Sequence, residues 1–126
     1  MTILFARVIE DEEAWRILIA YWSAVRDTFP DAWGSPPSKS RLMHGTGVRA
    51  MGRLMDRMMV SFHPREANLR SHLRDELRAV APVGKWTSGR WEEIGLEWKD
   101  VQNVPRHLGM LSDFLIRTYL RGRGRA

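Results

Sequence analysis

TGVRAMGRLMDRMMVSF, residues 46–62, carries the pattern on which the fold turns. Val48, Met51, Met55, Met58 and Phe62 recur at alternating spacings of three and four, which places them on one side of an α-helix. Arg49, Arg53, Asp56 and Arg57 fall mostly on the other side. Leu54 and Met59 broaden the apolar stripe beyond what a solvent-facing helix carries, so this helix is expected at the centre of a bundle. Thr46 is the expected N-cap, with a break near Gly45, because each glycine inside a helix costs about 1 kcal/mol relative to alanine. The neighbouring HGTGVRAMG, residues 44–52, is not a phosphate loop. It lacks the lysine of a Walker A motif, and Ala50 stands where a GxGxxG pattern needs its third glycine.

On the N-terminal side, residues 1–8 form a short apolar segment that reads as an edge strand or as the lead-in to a first helix. The acidic run Glu10 to Glu13 suits a helix N-terminus, where unpaired amides carry partial positive charge. Trp15, Leu18, Trp22, Val25 and Phe29 then repeat at three and four, and Pro30 stops the helix. A tryptophan stripe can stack on nucleic-acid bases, but these positions share a face with Leu18 and Val25, which assigns them to the core. Residues 30–40, PDAWGSPPSKS, form a loop in which Trp33 packs back as an anchor.

On the C-terminal side a third helix is predicted over residues 64–81, opened by Pro64, with Leu69, Leu73, Leu77 and Val80 facing inward. Residues 82–103 are a tryptophan-rich connector holding Trp86, Trp91 and Trp98, expected to cap one end of the core. Asn103 and Pro105 open a fourth helix with Leu108, Leu111, Leu115 and Tyr119 as its inner stripe. The ending RGRGRA is expected to be a flexible Arg/Gly tail, residues 121–126. The expected architecture is therefore all-α: one domain over residues 1–120, a compact bundle of about four helices with the connector between the third and fourth.

Composition narrows the function. With 126 residues the chain can bury roughly two thirds of its unfolded surface in one core. It has no cysteine, which removes disulfides and thiolate metal sites, and its apolar runs are far shorter than the roughly 20 residues that cross a bilayer. No membrane association and a cytoplasmic location are the expectations. The net charge of +5 is unevenly spread: residues 1–37 balance at −3, residues 38–81 at +5 and residues 82–126 at +3. Such asymmetry favours a polyanionic partner, although 17 of the 20 basic residues are arginine, a skew that a GC-rich genome also produces.

Arg70, Arg74 and Arg78 form an i, i+4, i+8 row on the third helix, only partly offset by Glu66 and Asp75. Arginine binds phosphate bidentately, so this row, with Arg117, Arg121, Arg123 and Arg125 near the C-terminus, makes up the candidate nucleic-acid contacts. The histidines His44, His63, His72 and His107 are scattered, there is no GxSxG elbow, and the carboxylates sit in first turns or opposite arginines. No catalytic residue, metal ligand or cofactor is expected, and the chain reads as a non-enzyme. A protein-interaction or self-association surface built from methionine and tryptophan is the alternative function. A small-molecule pocket among Trp15, Trp22, Met51 and Met55 is a third.

The sequence YWSAVRDTFPDAWG, then KSRLMHGTGVRAMGRLMDRMM, then KWTSGRWEEIGL, followed by a last amphipathic helix, resembles the C-terminal helical part of DGQHR-domain proteins. That family includes DndB-type proteins associated with DNA phosphorothioation and implicated in regulating the modification genes. The resemblance covers roughly residues 10–120, and the Asp-Gly-Gln-His-Arg signature and its mixed α/β core are absent. It implies an accessory helical module linked to DNA modification, either a stand-alone protein or a piece whose core partner is encoded separately or elsewhere in a longer chain. No family site residue maps onto a numbered position here.

Overall fold

The computed structural model describes residues 11–124. The segment 1–8 and Arg125 lie outside them. Four helices make the bundle: α1 (Asp11–Thr28), α2 (Gly45–Met58), α3 (Leu69–Leu77) and α4 (Pro105–Gly124). Between α3 and α4 a two-residue hairpin pairs β1 (Arg90–Trp91) with β2 (Leu96–Glu97), antiparallel, with Arg90 opposite Glu97 and Trp91 opposite Leu96. The all-α bundle with its tryptophan-rich connector is the architecture expected.

α1 packs on α3 and α2 packs on α4, and one continuous core joins all four helices. Met51, Leu54, Met55, Met58 and Met59 are buried, which makes α2 the central element. The Tyr21 hydroxyl of α1 donates to the Met51 carbonyl at 2.6 Å, tying the first helix to the centre. Burial, then the nearby Asp56 carboxylate, pushes the Tyr21 phenol well above its ordinary range. Leu108, Leu111, Leu115 and Tyr119 all point inward from α4 as predicted.

The connector is a lid of aromatic edges. Trp86 meets Phe29 at 6.1 Å and Trp91 at 5.0 Å, and Trp91 meets Phe114 at 5.9 Å, all edge to face. Arg41 then locks the lid to the loop before α2. Its guanidinium donates to the carbonyls of Pro37, Lys99 and Val101 and lies 5.8 Å above the Trp98 ring.

Several expectations fail locally. Trp15 is 65% exposed and Leu18 and Trp22 are only half-buried, because the inner face of α1 is Ile17, Ala20, Tyr21, Ala24 and Val25. Val48 is also exposed. Thr46 is not the N-cap of α2: His44 is, accepting from the Thr46 N–H through Nδ1, while the Thr46 hydroxyl donates to the Gln102 carbonyl at 2.7 Å. The third helix starts at Leu69 and not at Pro64, because Asn68 takes a left-handed conformation, φ +60°, that breaks the chain there. The Asn103 amide oxygen accepts from Arg49 and lies 3.4 Å from the Thr46 hydroxyl, turned toward α2. The Arg/Gly ending is helical through Gly124 rather than flexible from residue 121.

Candidate nucleic-acid interface

The predicted α3 row is largely neutralised. Arg70 forks onto Asp27 of α1 through Nε and Nη2, at 2.7–3.0 Å. Arg78 follows the end of α3 and meets Asp75 at 3.4 Å. Only Arg74 stands exposed without an ion pair to a described residue. At the C-terminal end of α4, Arg121 lies 3.7 Å from Glu93, and Arg123 reaches Glu76 at 2.7 Å and the Tyr119 hydroxyl at 3.0 Å. Arg117 is exposed and pairs with no described carboxylate.

A different row keeps its charge. Arg49, Arg53 and Arg57 stand exposed at i, i+4, i+8 on the outer face of α2, and none makes an ion pair to a described residue. Their hydrogen-bond partners are neutral: Arg49 donates to Asn103 Oδ1 at 3.4 Å and Arg53 to Ser112 Oγ at 3.1 Å. These contacts hold two guanidiniums against the start and middle of α4 without cancelling their charge. Thr46 meets Gln102 and Arg53 meets Ser112, so α2 and α4 ascend in the same direction. Arg106 and Arg117 stand exposed on α4, on the face opposite its inner stripe, with Asp113 as the acid between them. The acid within the α2 row, Asp56, is buried, whereas the three arginines are exposed.

No family model, curated protein or solved structure matches this chain.

The α2 row was readable in advance as an outward arginine face. The pattern did not separate it from the α3 row, since Asp56 stands three residues after Arg53; the burial of Asp56 in the structure does. The partner of Arg70 lies 43 positions distant on another helix, so no local rule finds it. The four histidines have local structural contacts. His44 caps α2, His63 accepts from the Arg65 N–H, His107 accepts from the Gln102 N–H, and His72 stacks on Phe62 with Nδ1 3.5 Å from Glu66. The methionine and tryptophan pocket is also revised. Trp15 and Trp22 line an open surface groove of about 420 Å³, with Met51 and Met55 absent from its wall. No helix among the described residues is long and apolar enough to cross a membrane.

Proposed function

We propose that this protein is a non-catalytic helical module that works beside DNA, holding backbone phosphates on the arginine face of α2. One observation carries this: Arg49, Arg53 and Arg57 share an exposed helix face without a compensating carboxylate among the described residues. A guanidinium paired with a carboxylate has to give up that partner to bind phosphate, whereas these three do not. Arg117, from the predicted set, is a further exposed cation without a described acid partner, on α4; Arg70, Arg78, Arg121 and Arg123 do not contribute in their paired state. The resemblance to the helical part of DGQHR-domain proteins supports the same reading and adds a separately encoded core as the expected protein partner.

Fluorescence anisotropy with a labelled duplex, titrated across salt concentrations, tests it. The wild type binds at low salt, with an affinity that falls on a log–log plot by about 0.9 per phosphate neutralised. Combined Arg49→Ala, Arg53→Ala and Arg57→Ala flattens that slope by about three contacts' worth, whereas Arg78→Ala leaves it unchanged. A wild-type protein that binds no duplex at low salt overturns the proposal.

A further inference from the structure

A second surface of the molecule is unrelated to the arginine face. On the outer side of α1, Trp15 and Ile19 are 65% and 62% exposed, and Leu18, Trp22 and the loop residue Trp33 continue the apolar stripe. Trp33 lies 6.2 Å from Trp22 and widens the stripe into a groove. Contiguous exposed aromatics of this kind mark an interaction site.

The ends of the stripe indicate its occupant. At 100° per residue, Asp11, Glu12, Trp15, Leu18, Ile19, Trp22 and Arg26 fall within about 60° of one line along the helix. The line begins with two exposed acids and ends with an exposed arginine. Among the described residues Arg26 forms an ion pair only with Asp27, at 4.0 Å, and Asp27 is already held by Arg70. Laid antiparallel on a copy of itself, the stripe matches at every level: Trp15 meets Trp22, Leu18 meets Ile19, and Asp11 and Glu12 meet Arg26. A two-fold axis passes near Leu18 and Ile19, and each contact occurs twice, as a self-complementary interface requires. Laid parallel, the same stripe sets acid on acid and arginine on arginine.

We infer that α1 is a homodimerisation helix, pairing antiparallel with α1 of a second copy through Trp15, Leu18, Ile19 and Trp22, its register set by Asp11 and Glu12 against Arg26. This does not rest on the DNA reading and holds or fails separately from it.

Sedimentation velocity of the full chain over a concentration series tests it. The wild type shows a reversible monomer–dimer equilibrium, and Ile19→Arg, at a site exposed in the monomer, gives monomer with an unchanged circular dichroism spectrum. Arg26→Glu weakens the dimer about tenfold, and adding Asp11→Arg and Glu12→Arg to it restores the dimer. A wild type that stays monomeric to about 300 μM overturns the inference. So does a dimer that survives Ile19→Arg. Failure of the charge exchange to restore association overturns the antiparallel register.

Discussion

Arg70 of α3 grips Asp27 of α1 in a forked ion pair, Nε to Oδ2 and Nη2 to Oδ1 at 3.0 Å each, with Nη2 also 2.7 Å from Oδ2. The pair fastens the two helices on their solvent side while removing Arg70 from the free basic surface. Both side chains retain contact with water, so Asp27→Ala should cost about 0.5–1 kcal/mol, the upper end of the range for exposed pairs because the geometry is bidentate. Thermal melts at low salt will show the loss, and in about 1 M salt, where screening acts over a few ångströms, the gap to wild type narrows.

Two glycines of α2 predict effects of opposite sign. A Cβ on Gly47 would lie 1.8 Å from the Arg41 carbonyl oxygen, and that backbone cannot yield, since the Arg41 N–H donates to the Trp86 carbonyl at 2.8 Å and its side chain holds the lid. Nothing lies within 4 Å of the corresponding point on Gly52. Gly47→Ala should therefore destabilise by at least about 2 kcal/mol through overpacking, while Gly52→Ala stabilises by about 0.5–1 kcal/mol through helix propensity. Urea unfolding of the two variants checks both signs in one experiment.

Much of this fold could be read from spacing, and the part that could not has a physical reason. The α4 stripe was unambiguous because the opposite face of that helix carries Arg106, Asp113 and Arg117. α1 carries two apolar faces with the same three-four rhythm, and bulk favours the wrong one. The face with Ala20 and Ala24 goes inside because short side chains let the helix approach its neighbours, which leaves the tryptophans out. Periodicity reports that a face is apolar, not which of two such faces is covered. The candidate site was legible at the level of arginine rows; which row kept its charge depended on contacts between helices.

The six tryptophans should divide sharply. Trp91 is 1% exposed between Trp86 and Phe114, so Trp91→Ala should cost about 3–5 kcal/mol, the range for deleting a buried aromatic. Trp15→Ala, on an exposed side chain, should leave monomer stability within about 0.5 kcal/mol. Chemical denaturation of both variants at a dilution that keeps the chain monomeric separates the lid from the outer stripe.

His44 predicts a pH effect. Burial, and then the neighbouring Arg41 charge, lowers its pKa from 6.5. The unfolded chain thus binds the proton more readily than the folded one, so this residue's contribution is fully present above pH 6.5 and is lost as pH falls through the lower folded value. Protonation also removes the Nδ1 lone pair that accepts from the Thr46 N–H. His44→Asn keeps an acceptor at the N-cap and cannot titrate. Its stability relative to wild type should rise as pH is lowered from about 7 to 5, across the ordinary histidine range; a pH-independent difference would exclude His44 as the source.

The end of α4 provides the last test, because a flexible tail and a docked helix end respond differently to truncation. Arg123 donates to Glu76 at 2.7 Å and to the Tyr119 hydroxyl at 3.0 Å, joining the last turn to α3. Gly122 sits so close to the segment after α3 that a Cβ there would come within 2.5 Å of the Ala79 Cβ. Removing residues 121–126 takes away these contacts and leaves Glu76 near a half-shielded hydroxyl without its arginine. The expected loss is about 1–2 kcal/mol, from one partly screened ion pair, its hydrogen bond and one helical turn. Gly122→Val should destabilise by a comparable amount through the clash with Ala79. If truncation leaves the melting curve unchanged, the last turn of α4 does not dock on α3 in solution.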